Sequence, residues 1–336
     1  MKKIAGFILG SYLLFLTVKG AAQDIQFGQL YTNSLYLNPA MVGIAPYSRA
    51  MFHHRTQWNQ LDARYMSYMA GGDHFISRYH SGLGGYVLYD QQGQSILNSY
   101  EANLQYAYEA VLTEKLVARL GLQAGLVSRV LDYSSLLFPD QLDQNGSIGA
   151  TQANTGGIQR IWYPDLSSGA MVYTDKFWMG VAAHHLNRPN QSFIGDESRL
   201  PVKFSMNGGY KIVIKNTKGY RLSVTPSLYY KLQGKSDQLD LGLYGIAHPF
   251  LVGIWYRGLP LIKKYRSGLQ NNESVIVMLG YKFERIQLTY SYDFTVSKLA
   301  KAGTGGVHEI SVVYCFKRDA SKRPMKLLPC PDFTEE

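Results

Sequence analysis

Residues 285–294 read RIQLTYSYDF, and every second residue is apolar or aromatic. Ile286, Leu288, Tyr290, Tyr292 and Phe294 fall on one side of an extended chain. Arg285, Gln287, Thr289, Ser291 and Asp293 fall on the other. A period of two makes a strand with one greasy and one polar face. A soluble sandwich would turn the greasy face inward. A membrane barrel turns it out to lipid and lines its lumen with the polar face. The pattern recurs. In 100–110, Tyr100, Leu104, Tyr106 and Tyr108 oppose Glu101, Asn103, Gln105 and Glu109. In 307–316, His308, Ile310, Val312, Tyr314 and Phe316 share a face.

The start of the chain supports the barrel. Residues 1–22 have a basic end (Lys2, Lys3), an apolar core and the small residues Gly20, Ala21 and Ala22 before Gln23. This is a secretory signal with cleavage expected before Gln23. No later segment is long and apolar enough for a spanning helix, so an exported chain that crosses a membrane must do so as a closed barrel. Charged residues make up only 17%, with 26 Tyr and 33 Gly, a profile suited to aromatic girdles and close strand packing. Losing Lys2, Lys3 and Lys19 takes the net charge from +10 to +7, which suits an anionic membrane surface or an acidic partner. Basic blocks with aromatic spacing are absent, and no nucleic-acid partner is expected. Cys315 and Cys330 are too few for a disulfide framework, and two thiols are expected.

Alternation and turn signals predict fourteen strands. They are 49–58, 63–76, 82–89, 99–111, 116–128, 166–173, 177–186, 202–214, 220–232, 237–246, 249–257, 274–283, 285–294 and 307–316. An even count is the rule for bacterial barrels. With both termini periplasmic, the even-numbered connections are short. Three odd-numbered ones are long: 131–165, 186–201 and 258–273. The expected organisation is a signal peptide (1–22), an N-terminal periplasmic or plug segment (23–47), an all-β transmembrane antiparallel barrel (48–316) and a periplasmic tail (317–336).

The segment 23–46 is punctuated by Asn38-Pro39 and Gly43 and carries Phe27, Tyr31 and Tyr36. It packs on something. Phe27, Tyr31, Tyr36, Asn38 and Pro39 are candidates for a partner contact, because aromatic anchors dominate interfaces. A plug in the barrel base is the alternative. In the tail, Pro324, Pro329 and Pro331 exclude regular structure, and Leu327 and Phe333 are candidate docking residues. Arg55 and Trp58 read as structural, near the outer rim of the first strand. Arg285, Asp293 and Glu309 read as a lumen network that closes the interior.

Enzyme chemistry finds no foothold. Asp73-His74 are strand neighbours and point to opposite faces. His184-His185 sits where a strand leaves the membrane and reads as an interfacial or loop pair. His308-Glu309 lacks the second His of a zinc helix motif. The chain has no nucleophile elbow, phosphate loop or CxxC, and Asp140, Asp143 and Asn145 lack the spacing of a calcium loop. No catalytic residue, metal or cofactor is expected.

The two ends carry a resemblance. Gln23-Asp24-x-Gln26-Phe27-x-Gln29, followed by Asn33-x-Leu35-Tyr36-Leu37-Asn38-Pro39-Ala40 and Gly43, resembles the opening signature of the PorP/SprF family of type IX secretion proteins in Bacteroidetes. Arg55-Thr56-Gln57-Trp58 is similar to that family's Arg-x-Gln-Trp. Tyr292-Asp293-Phe294-Thr295-x-Ser297 with Gly306-x-His308-Glu309-Ile310 resembles its closing hairpin, and Cys330-Pro331-x-Phe333 its ending. Ile25 stands where a Pro is usual. The resemblance implies a non-enzymatic outer-membrane barrel serving the secretion and gliding machinery. The partners it implies are a periplasmic peptidoglycan-binding protein of the OmpA type, the ring lipoprotein of the machine, and secreted cargo with a C-terminal sorting domain. Two other readings remain at this point. A porin or channel for small or hydrophobic solutes predicts ion conductance. A soluble exported pair of sandwiches predicts release from membranes by carbonate.

Overall fold

A computed structural model describes residues 24–61, 64–93, 96–133, 136, 138–141, 158–217, 220–258, 264–266, 269–270, 272–297 and 303–316. Wall strands come in chain order. They begin with β1 (Arg49–Gln57), β2 (Tyr65–Ile76), β3 (Ser81–Gln92) and β4 (Leu97–Val111). Next are β5 (Val117–Asp132), β6 (Ile158–Tyr173), β7 (Phe177–His184), β8 (Lys203–Tyr210) and β9 (Ile212–Thr217). Then come β10 (Tyr220–Gln233), β11 (Ser236–Ala247) and β12 (Phe250–Gly258). A small hairpin, β13 (Lys264–Arg266) with β14 (Leu269–Gln270), stands apart from the wall. β15 (Asn272–Phe283), β16 (Ile286–Thr295) and β17 (Val307–Cys315) complete the set.

Each wall strand runs antiparallel to its neighbours, and β17 returns to pair with β1 over nine residues, from Arg49↔Cys315 to Gln57↔Val307. β8 and β9 both pair with β10 and are one wall strand interrupted at Lys211, whose N–H bonds Lys176 O at 2.7 Å. Counted so, the wall has fourteen strands and closes on itself. Closure removes every full-length edge, which a strand in lipid requires. No helix among the described residues is long and apolar enough to cross a membrane.

The faces follow the alternation. On β16, Gln287, Thr289, Ser291 and Asp293 are buried, while Ile286, Leu288, Tyr290 and Phe294 are exposed. On β4, Leu104, Tyr106 and Tyr108 are exposed, and Asn103, Gln105 and Glu109 are buried. The apolar side is thus the outer surface and the polar side lines the interior.

One boundary differs by more than a few residues. The long connection expected over 131–165 is shorter, because β6 begins at Ile158 and pairs with β5 as far as Asp132. Pro164 lies within β6. Its position lies beyond the pairing of β6 with β7, which starts at Ser168↔Ala183, so no ladder bond is missed. Its carbonyl accepts from Asn187 Nδ2 at 2.7 Å.

Candidate functional site: the plugged lumen

The leader fills the barrel. Two short features shape it, a single helical turn α1 (Ser34–Leu37) and a 3-10 turn at Pro39–Met41. Asn38 separates them in an extended conformation, and its Oδ1 accepts the Ala40 N–H at 2.9 Å. Pro39, fixed in φ and lacking an N–H, opens the second turn. The Asn38 amide has a second use. Its Nδ2 reaches Val181 O at 3.1 Å and Ala170 O at 3.4 Å, tying the turn to β7 and β6. Glycines let the plug lie against the wall. A Cβ at Gly121 would run into the Ala40 and Pro39 backbone, and one at Gly169 into Asn38 Oδ1.

Near the rim of short turns, two buried ion pairs clamp the plug. Arg119 Nη1 bonds Glu109 Oε2 at 2.7 Å, and its Nε and Nη2 donate to Ala40 O and Val42 O at 2.9 and 2.5 Å. Tyr173 OH completes the Glu109 carboxylate at 3.0 Å. Arg49 meets Asp73 with two bonds, at 3.0 and 2.6 Å, and also reaches Ser34 Oγ. Asp73 Oδ2 then accepts the Gly43 N–H at 2.8 Å. His74 turns the other way, to Ser48, as strand geometry requires. Deep charges persist only when paired and fully hydrogen-bonded. Here the plug's own backbone supplies the remaining partners.

Higher in the lumen, Glu309 Oε2 and Oε1 accept the Gly28 and Gln29 N–H groups at 2.7 and 3.3 Å. The Gln29 side chain is held by Glu309 O at 3.0 Å and by Ser311 Oγ at 2.6 Å. Arg257 bridges Asp240 and Asp293 at 3.2 and 3.1 Å and donates to Phe27 O. Tyr31 packs edge-on against Trp178 and Tyr244, with centroids 5.5 and 5.8 Å away. Phe27 packs on Tyr36 at 5.1 Å in the same manner. Such pairs each contribute about 0.5–1.5 kcal/mol beyond area burial.

The leader begins near the rim of long loops. Asp24 Oδ2 sits 2.6 Å from Lys203 Nζ and 2.9 Å from His185 Nε2, and its Oδ1 accepts from Gln233 Nε2 at 3.0 Å. His185 Nδ1 meets Asp165 at 2.9 Å. Burial works to raise the Asp24 carboxyl, but the Lys203 ammonium and His185 outweigh it and hold it well below the usual range. Burial works to lower His185, and the Asp24 and Asp165 carboxylates outweigh that, bringing it up to about 9. His185 is therefore a lumen residue and not part of the interfacial belt.

The candidate residues sort as follows. Phe27, Tyr31, Tyr36, Asn38 and Pro39 all lie inside the barrel, so their contacts here are with the wall; a partner reaches them only if the plug moves. Arg55, Asp293 and Glu309 are buried in the lumen. Arg285 is a correction. It is exposed in the turn between β15 and β16, where strand alternation has ended, and Arg257 holds the place expected for it. Trp58 adopts φ 61° at the loop rim, donates its N–H to Gly306 O at 3.0 Å and packs edge-on against Tyr65. Leu327, Phe333 and Cys330 lie outside the described residues, and Cys315 is half-buried at the end of β17. Arg119, Arg49, Arg257, Asp240, Asp165 and Lys203 were not singled out from the sequence, Asp73 and His185 were weighed only as catalytic candidates, and Glu109 and Asp24 were named only for a strand face and for the opening signature. For those on strands, the one signal was a charge at an inward position of a strand with a greasy opposite face.

Among the described residues, no group of His, Cys, Asp or Glu is arranged to hold a metal ion. The profile of the family described as type IX secretion system membrane protein PorP/SprF matches residues 19–314. The chain belongs to that family. This makes it a PorP/SprF-type membrane component of type IX secretion, a class of secretion and transport proteins and not a known class of enzymes. No curated protein sequence matches it. Among solved structures it is similar to the CymD monoaromatic hydrocarbon channel, at 14% identity and TM-score 0.46, over 88% of this chain and 94% of that one. It is also similar to the Pseudomonas putida toluene transporter TodX, at 12% and 0.44, over 89% and 95%. A Pseudomonas aeruginosa FadL homologue matches at 12% and 0.42, over 84% and 94%.

Proposed function

We propose that this PorP/SprF-type barrel works as a non-enzymatic scaffold of the type IX machinery in the outer membrane, with a lumen held shut by its own leader. In this reading the signal peptide is removed before Gln23, and both chain ends of the wall lie on the periplasmic side. The tail offers Leu327 and Phe333 to a peptidoglycan-binding protein of the OmpA type and to the ring lipoprotein of the machine. The long loops meet secreted cargo that carries a C-terminal sorting domain, including surface adhesins used in gliding.

The observation that supports a scaffold over a channel is the clamp on the plug. Arg119, Arg257 and Glu309, all buried wall residues, each hydrogen-bond backbone groups of the plug, at Phe27, Gly28, Gln29, Ala40 and Val42. Opening a solute path through this site would leave the Glu309 carboxylate without its backbone donors and the two guanidinium groups short of acceptors.

The test is a pull-down from detergent-solubilised outer membranes. It compares the intact protein, one lacking 317–336 and one lacking 23–45, each first shown to be a heat-modifiable barrel. The scaffold reading expects the intact protein to recover a periplasmic machine component or a sorting-domain cargo, and the tail deletion to lose the periplasmic one. Leader deletion tests whether Phe27, Tyr31, Tyr36, Asn38 and Pro39 also take part in that contact. An intact protein that recovers neither and conducts ions in a planar bilayer would make it a porin or solute channel.

A further inference from the structure

A cavity of about 170 Å³ lies above the plug, on the side of the long loops. Asp24, Tyr36, Glu101, Arg129, Asp165 and Lys203 are among the residues lining it. Most of its charges are already matched. Asp24 is held by Lys203 and His185, and Asp165 by His185. Asp90 takes bonds from Ser67 Oγ and Gln92 Nε2.

Two are left over. Among the described residues, the Glu101 carboxylate has neither a hydrogen bond nor an ion pair. The Arg129 guanidinium meets the Gln191 side-chain amide oxygen and lies over the Phe193 ring, 5.9 Å from its centroid, with no carboxylate of the described residues in ion-pair range. These two side chains come from adjacent strands. In the register of β4 with β5, Ser99 faces Arg129 and Glu101 faces Val127, so Glu101 and Arg129 are diagonal neighbours. Diagonal neighbours stand roughly 7–8 Å apart at the backbone, within reach of two long side chains. Opposite charges placed so would normally close on each other. Here both are turned into the cavity and stay apart.

An unmatched carboxylate beside a cation without a carboxylate is the complement of a zwitterion. We propose that this cavity is a binding site for a free α-amino acid, with the ligand ammonium on Glu101 and the ligand carboxylate on Arg129. A guanidinium suits a carboxylate because its fork can take both oxygens. The Tyr36, Tyr86 and Tyr163 side chains on the cavity wall offer ring faces and edges to the rest of the molecule. At about 170 Å³ the space is large enough for one small amino acid. The site stands independently of the secretion role, because it rests on lumen residues that no machine partner has to touch.

Thermal-shift and calorimetric titration of the full-length processed protein in detergent test it. The probes are the standard amino acids at millimolar concentration, then the N-acetyl and methyl-ester forms of the best binder. Binding is expected, weakened at least about tenfold by either block, because each removes one charge-assisted contact. Glu101→Gln and Arg129→Gln are each expected to weaken the unblocked ligand by a similar factor while the barrel stays heat-modifiable. With Glu101→Gln, the N-acetyl form should bind no worse than the free amino acid. No shift with any amino acid would overturn the proposal. So would blocked forms that bind as well as the parent, or variants that bind as well as the intact protein.

Discussion

Arg119 is 1% exposed and serves three acceptors at once, one carboxylate and two plug carbonyls. Arg119→Met would leave Glu109 buried without its cation and both carbonyls without a donor. Breaking one side of a buried pair costs ~3–5 kcal/mol. The urea midpoint of the detergent-folded barrel should fall accordingly, and an unchanged midpoint would show that the clamp carries no stability. His185 gives a pH dependence. Its folded value is raised, from 6.5 to about 9, so its contribution is complete below 6.5 and is lost as pH rises through 9. The midpoint of the intact protein should drop across that window, and that of His185→Gln should stay flatter. Equal slopes would remove His185 as the cause.

At the scale of elements, the leader and the wall are held together by close approach more than by apolar area alone. Gly121→Val puts a branched side chain where the Ala40 and Pro39 backbone lies. The ladders of β4, β5 and β6 do not depend on that side chain. The barrel should therefore still form, with its plug displaced and its leader newly open to protease. Deleting 23–45 should go further and give a conducting pore in a planar bilayer, because the lumen of a fourteen-strand wall is wide enough to need filling. A deletion that folds and does not conduct would mean that other residues seal the interior.

For the whole molecule, the outer surface has to match lipid. Leu104 lies midway along β4 and is 76% exposed. Leu104→Arg should cost ~2–4 kcal/mol of folding into vesicles, as a charge at the bilayer midplane does, and much less at either rim. Equal costs at all depths would contradict the placement of the lipid band. The outer face also carries a ladder of rings near the loop rim. His54 stacks on Tyr68 at 4.4 Å, Tyr68 on Tyr89 at 6.2 Å, and Tyr89 on Tyr100 at 4.9 Å. Aromatic side chains at that level suit the boundary between lipid and water.

The strands were legible in the sequence because their signal is local. Greasy and polar residues alternate within ten positions, and turn residues sit between the runs. That fixed the count, the order and the faces, as 285–294 and 307–316 illustrate. It misled only where a local cue pointed the wrong way. Residues 131–165 read as one long connection although β6 starts at Ile158, and the run of alternation placed Arg285 inward although the strand starts at Ile286. The lumen was not legible in this way. Gly28 finds Glu309 at a separation of 281 residues, and Asp24 finds Gln233 at 209. Nothing in the neighbourhood of either residue encodes that meeting. Polar residues facing inward say that a lumen exists, and aromatic residues in the leader say that it packs on something. Which carbonyl each arginine clamps, and which two charges are left facing an open cavity, depend on how fourteen strands close around the segment that precedes them.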